Sequence, residues 1–263
     1  MQKLKIAVPD NNIFKRLYAN ENPAIEIIPV KEENIMKLVS MNRVDGALLN
    51  PLSYGIIRNN LDIRVVDSYA LAGFGYTNLI KILLKPGIKQ IKSVGVSKKK
   101  TYGTIMTKIM LAERYGIEIE PEETSKNNED IIKDYDVAII LDENFYNPNT
   151  LDLTENWTDS YAEAFPFAFW CIRADIDLPD AEEIFDNLYG ESNIKNEEIK
   201  EKIDSTEVEP RVGELIWKWD KNLEKSCDNV LEILFYHQYL GEIFDIKMYN
   251  QNEEQADETT DTE

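Results

Sequence analysis

The chain has little with which to hold a transition metal or run thiol chemistry. It contains one histidine, His237, and two cysteines, Cys171 and Cys227, far apart and without metal-ligand spacing. These counts argue against a disulfide framework, and a reducing compartment fits. Long apolar runs are missing too. No stretch approaches the roughly 20 apolar residues that span a bilayer. The apolar run in MQKLKIAVPDNN is too short for a signal-peptide core, and Pro9-Asp10 ends it. These features lead to the expectation of a cytosolic protein. Positive charge is scarce: 29 Lys and Arg stand against 49 Asp and Glu, for a formal charge of −20. That balance argues against nucleic acid and against anionic membranes, both of which need basic patches. There is no phosphate-loop motif and no nucleophile elbow. His237 sits in a late helical stretch, away from every motif, and reads as structural.

What is present is a globular chain of 263 residues, 43% hydrophobic and 10% aromatic, enough for one large or two modest domains. Strand and helix patterns alternate through its first part. Strands are expected at 5–8, 24–29 and 62–68, with a turn and a short buried strand stopping at Asn50 within 43–51, and with helices from 13, 31 and 52 between them; β-α-β alternation of this kind builds a parallel sheet. Gly73-Phe74-Gly75 interrupts the pattern. A strand at 77–84 follows, and Lys85-Pro86-Gly87 reads as the first crossover between lobes. A smaller β-α-β unit comes next, with strands at 93–96, 118–120 and 136–141 and a helix from Thr104. The aromatic run 165–173, FPFAFWCIR, suits a buried strand returning to the first lobe. Helical periodicity is read at 181–188, 196–203, 208–219 and 229–240, with Gly241 as a stop. The last residues carry only acidic charge and no aromatic, and are expected to be disordered.

The most informative stretch is 93–114, SVGVSKKKTYGTIMTKIMLAER. A short strand, a polar turn and an amphipathic helix aim free backbone N–H groups and the positive helix end at an anion. Thr101, Tyr102, Gly103 and Thr104 could hold a carboxylate in this way; the plain alternative is a helix cap. Lys98, Lys99 and Lys100 would supply a local positive field in an acidic protein, or else only a solvated surface. Asn50 and Ser53 follow a buried strand, where open α/β sheets bind ligands, although Asn50 also fits a helix cap. Asp142 and Glu143 end another strand, and either could serve as a base.

Several segments in order resemble a known family. They are Val44-Asp45-Gly46-Ala47-Leu48-Leu49; the strand and helix start 92–104; a helix ending Glu113-Arg114-Tyr115-Gly116-Ile117; Asp136-Val137-Ala138-Ile139-Ile140-Leu141; Asp152-Leu153-Thr154-Glu155-Asn156-Trp157; the Pro-Phe-Ala-Phe-Trp run ending at Trp170; and Leu231-Glu232-Ile233-Leu234-Phe235-Tyr236. Together these resemble the menaquinone-biosynthesis family of the futalosine route, chorismate dehydratase and its relatives. The likeness covers nearly the whole chain apart from the acidic tail.

The resemblance implies an α/β, two-lobed fold like that of type 2 periplasmic binding proteins, with the ligand in a cleft between lobes and helices at the C-terminus. Lobe one would be 1–86 plus 172–250, lobe two 87–171, and 251–263 a disordered tail. It also implies a cofactor-free, metal-free lyase acting on a small carboxylate, with no nucleic-acid or membrane partner. Asn11 and Asp142 would be the catalytic candidates, and Asn50, Ser53, Thr101, Tyr102, Gly103 and Thr104 the substrate-binding ones. Three ligand-facing segments depart from the family pattern. Pro9-Asp10-Asn11-Asn12 replaces its Tyr-Leu-Asn signature, so Asn11 or Asn12 is the approximate match. Asn50-Pro51 replaces paired serines, and Lys100-Thr101-Tyr102-Gly103 replaces Ser-x-Thr-Ser. These departures keep a second reading open, a non-catalytic small-anion binder of the same fold.

Overall fold

The computed structural model describes residues 3–249 apart from 143, 148, 191–195 and 203–208. The acidic tail 251–263 and Glu143 therefore lie outside the described residues. The chain begins with alternating elements: Leu4–Pro9 (β1), a 3₁₀ turn at Asn12–Tyr18, Ile25–Val30 (β2), Glu32–Ser40 (α1), Gly46–Leu49 (β3), Pro51–Arg58 (α2) and Ile63–Gly75 (β4). A second group follows: Ile80–Leu84 (β5), Val94–Val96 (β6), Tyr102–Tyr115 (α3), Glu122–Glu123 (β7), Asn128–Asp134 (α4), Val137–Leu141 (β8), Thr150–Asp152 (β9) and Leu153–Tyr161 (α5). The rest comprises Phe165–Arg173 (β10), Ala181–Asp186 (α6), Glu197–Lys200 (β11), Val212–Lys218 (β12) and Lys221–Tyr236 (α7).

Local chemistry sets many of these boundaries. Side chains of Asn50, Thr101, Asn127, Asp152 and Asp220 cap the first turns of α2, α3, α4, α5 and α7. Pro51 fills the first helical position of α2, where no N–H is needed. Gly116 stops α3 in the left-handed region at φ 65°.

The strands form two sheets. The larger runs β11-β12-β4-β10-β3-β1-β2 and the smaller β7-β6-β8-β5-β9. β1 pairs in parallel with β2 and β3, as βαβ alternation dictates. β10 inserts antiparallel between β3 and β4. Its first eight residues are all buried, and Phe169 and Trp170 are wholly enclosed. A strand covered on both faces by helices reads as one continuous apolar run, which is what FPFAFWCIR is. Cys171 and Cys227 are free thiols buried in this core, and burial raises both thiol pKa values.

Several expectations are corrected. The strand expected in lobe one at 77–84 pairs with β8 and β9 in the smaller sheet. The chain therefore changes sheet at 76–79, where Gly75 and Asn78 take positive φ of 70° and 59°. Lys85-Pro86-Gly87 is only a turn, closed by Ile88 N–H on the Lys85 carbonyl at 3.3 Å. The return falls at 162–164, because all of β10 pairs in the larger sheet. Residues 118–120 form no strand; β7 comes at Glu122–Glu123 instead. The stretches read as helices at 196–203 and 208–219 contain the antiparallel hairpin β11–β12, with 203 and 208 outside the described residues. Leu215 and Trp217, two apart, are buried while Val212 and Lys218 are exposed, which is strand periodicity. The last helix starts earlier than expected, at Lys221, and ends at Tyr236.

Candidate functional site

A cavity of about 260 Å³ opens between the two sheets. Its walls come from the C-terminal ends of β1, β3 and β8 and from the start of α3, the place where open α/β sheets collect ligands. Seven of the eight expected site residues line it: Asn11, Asn50, Ser53, Thr101, Tyr102, Gly103 and Asp142. Thr104 does not. It is 1% exposed, and its hydroxyl donates to the Lys98 carbonyl at 2.8 Å and accepts from the Thr101 hydroxyl at 2.9 Å. Thr104 therefore secures the turn before the helix and does not face the ligand space.

The start of α3 turns backbone donors toward the cavity. The Thr101 side chain accepts from Thr104 N–H at 3.3 Å, and Ile105 N–H bonds the Thr101 carbonyl at 3.0 Å. The amides of Tyr102 and Gly103 are the remaining first-turn donors, which no helix can satisfy internally. Both residues line the cavity. Gly103 lets this end approach the smaller sheet: a Cβ there would lie 2.8 Å from Ile80 Cδ1 and from Leu141 Cδ2. Tyr102 contributes its backbone and not its hydroxyl, which donates to the Pro166 carbonyl at 2.9 Å while its ring stacks on Phe165. Burial raises the pKa of that phenol well above its usual value.

The facing wall carries amides. Asn11 lines the cavity, and its Oδ1 accepts from Ile13 N–H at 3.2 Å. The Asn50 side chain serves the protein at both ends: Oδ1 accepts from Ser53 N–H at 2.8 Å, and Nδ2 donates to Glu32 Oε1 at 2.9 Å. Asp142 accepts from Asn128 Nδ2 at 2.9 Å and, through its other oxygen, from Asn144 N–H at 2.9 Å. Its backbone carbonyl accepts from Lys81, whose side chain is wholly buried. The lysines before α3 do not line the cavity. Lys98 instead pairs with Glu33 of α1 at 3.0 Å, across from the smaller sheet to the larger.

The residue that sequence reasoning missed is Glu32, in the first turn of α1 and in the cavity wall. Burial raises its carboxyl pKa, against the opposing effects of Lys98 and the Asn50 hydrogen bond. An acid in the first turn of a helix after a strand is an ordinary sequence feature, so nothing but its position marks it. Phe167 and Ala168 supply apolar wall, which makes part of the FPFAFWCIR core strand a cavity surface as well. Among the described residues no group of three or more metal-ligating side chains comes together, and no helix is long and apolar enough to cross a membrane.

Two α/β sheets joined by two crossings, with a ligand cavity between them, define the fold of type 2 periplasmic binding proteins. The larger sheet with β10 inserted and the smaller sheet standing across the cavity match solved structures of that architecture. An X-ray structure of a protein from Archaeoglobus fulgidus is 13% identical at a TM-score of 0.59, covering 89% of this chain and 97% of that one. A structure titled as an ABC transporter from Parabacteroides distasonis gives 10% identity and 0.58, covering 95% and 99%. The ligand-binding component of an ABC-type import system from Staphylococcus aureus, with zinc bound, gives 9% and 0.50, covering 95% of each chain. At these identities the likeness concerns the fold alone. Within that architecture the chain belongs to the menaquinone biosynthesis family, whose model matches residues 8–218. No curated protein is similar enough in sequence to count as a relative.

Proposed function

We propose that this protein is a carbon–oxygen lyase that dehydrates chorismate to 3-[(1-carboxyvinyl)oxy]benzoate. Membership of the menaquinone biosynthesis family supports a role in that pathway. The observation that carries the finer reading is one small cavity with the start of a helix on one wall and amides with two carboxyl groups on the others. Its volume of about 260 Å³ suits a small ligand. In this dehydration a ring C–H proton beside the carbinol leaves, the hydroxyl departs as water, and the ring becomes aromatic. No electrons are gained or lost overall. The ring carboxylate is conjugated with the carbon that loses its proton, so negative charge grows on it in the transition state. The amides of Tyr102 and Gly103 would bind that carboxylate, tightening as charge accumulates.

Glu32 is the general acid in this reading. Burial favours its protonated form, and a proton held there is available to the leaving hydroxyl. Asn50 holds the Glu32 side chain in place. The base is Asp142 or the second carboxylate of the substrate. The test is incubation with chorismate, following loss of water by mass spectrometry. Wild type should form the enol-ether benzoate, and Glu32→Gln should lose about 10²–10⁴-fold in rate. Asp142→Asn separates the two bases: a loss within tenfold (about 1.4 kcal/mol of barrier) assigns proton removal to the substrate. Chorismate that binds and stays unchanged would refute the lyase reading. A non-catalytic anion binder is then favoured, a reading supported by the commitment of both ends of the Asn50 amide to protein groups.

A further inference from the structure

A second cavity, of about 470 Å³, adjoins the first. The two share Asn12, Ile13, Leu79 and Asn144, so they are chambers of one cleft. The outer chamber is walled by the β11–β12 hairpin, through Glu197, Lys200, Leu215 and Trp217. Lys202, just beyond β11, also lines it. Arg211, at the start of the second hairpin strand, anchors that wall to the opposite sheet. It donates to the Thr150 carbonyl at 2.9 Å, pairs with Glu155 at 3.2 Å and Glu201 at 2.6 Å, and lies 4.4 Å from the Tyr76 ring centroid. The chamber is thus a built feature that joins both sheets.

Its chemistry differs from that of the protein as a whole. Arg16, Lys200 and Lys202 line it against one acid, Glu197, in a chain of net charge −20. Arg16 pairs with Glu197 at 2.7 Å, and Lys200 with Glu198. Aromatic wall comes from Tyr76, Tyr146 and Trp217, with Arg211 stacked on the Tyr76 ring and Arg16 lying 4.9 Å from the Trp217 ring centroid. Trp217 is 3% exposed, and its indole N–H has no acceptor among the described residues. The other three tryptophans share that property, but of the four only Trp217 lines either chamber. A buried donor without an acceptor is an exception that calls for one.

We propose that the outer chamber is a second binding site, for a planar aromatic carboxylate. The ring would lie among the aromatic side chains, its carboxylate toward Lys200 and Lys202, and an acceptor would meet Trp217. Such a molecule has the chemical class of the product proposed for the inner chamber, which the outer chamber adjoins. The site itself stands on the outer residues, whether or not the inner chamber dehydrates anything.

The test uses the full chain and 3-hydroxybenzoate as probe, titrated by calorimetry. The neutral 3-hydroxybenzamide serves as its uncharged counterpart, and the variants are Lys200→Ala/Lys202→Ala and Trp217→Phe. The double variant changes two exposed side chains and leaves the hairpin core intact. We expect saturable binding of the benzoate, weakened about fivefold or more in the double variant. The benzamide should bind more weakly than the benzoate to wild type and about equally to the double variant. Trp217→Phe should also weaken the benzoate. No binding, or benzoate binding unchanged in the double variant, overturns the proposal. Chorismate turnover, measured separately on the same double variant, reports on the inner chamber alone.

Discussion

Thr104 separates a ligand contact from a structural cap. Replacing it by valine keeps the shape but removes the hydroxyl. That hydroxyl donates to the Lys98 carbonyl and accepts from Thr101, and the side chain is 1% exposed. Each neutral hydrogen bond is worth about 0.5–1.5 kcal/mol net, and an orphaned buried partner costs about 1–3 kcal/mol. The Lys98 carbonyl is only part-buried, so water recovers some of the loss. The expected destabilisation is about 2 kcal/mol, a fall in Tm of roughly 4–8 °C for a chain of this size. Urea unfolding should show a lower midpoint with an unchanged slope. Chorismate affinity should change little, because the cavity-facing donors are the amides of Tyr102 and Gly103. If Thr104 instead touched the ligand, losing its donor to a charged group would weaken binding about tenfold or more and leave stability nearly unchanged. A variant as stable as wild type within about 0.5 kcal/mol, with binding lost, would refute the cap assignment.

Asp152 gives a pH signature. It is wholly buried, and burial pushes its carboxyl up to about 6 against the hydrogen bonds it accepts from Glu155, Asn78 and Thr77. Between the unfolded value near 3.9 and about 6 the native state holds the extra proton, so this group's contribution to stability falls as pH rises and is fully lost above about 6. The stability advantage of wild type over Asp152→Asn should narrow by roughly 2–3 kcal/mol from pH 4 to 7 in urea titrations, and a widening gap would contradict the assignment. Gly213→Ala should be severe, because its Cβ would lie 2.3–2.5 Å from backbone atoms of Tyr76 and Phe74. A loss of about 2 kcal/mol or more, measured by unfolding, is expected, with the β12–β4 pairing disturbed.

The alternation of β1, β2 and β3 with their helices was legible because each strand is a short apolar run, and Asn11 and Asn50 give cap signals after β1 and β3. The place of Thr101, Tyr102 and Gly103 in the cavity wall was legible from a strand and a polar turn feeding a helix. What escaped depended on contacts distant in the chain. The change of sheet at 76–79 is set by which strands β5 meets, and β5 looks the same whichever sheet receives it. β12 looked helical because Val212, Leu215, Ile216 and Trp219 satisfy a helical spacing as well as Leu215 and Trp217 satisfy a strand one. Thr104 carried a hydroxyl at the right point in sequence, but only the turn geometry shows it directed to Lys98. Glu32 was hidden because an acid near a helix start is commonplace; its place beside Asn50 arises only when α1 and α2 pack together.

The two buried thiols make the protein a clean background for site-specific labelling. Cys171 and Cys227 are fully enclosed, and burial holds both in the unreactive protonated form. A maleimide dye should therefore ignore the native chain and take only cysteines introduced on its surface. One placed at exposed Lys37, beyond the cleft on the larger sheet's side, and one at exposed Glu122, on the smaller sheet's edge, would form a donor–acceptor pair spanning the two halves. Energy transfer between them would report how far the halves part when the cleft is empty and how far they draw together when it fills, with no native sulfur to remove first.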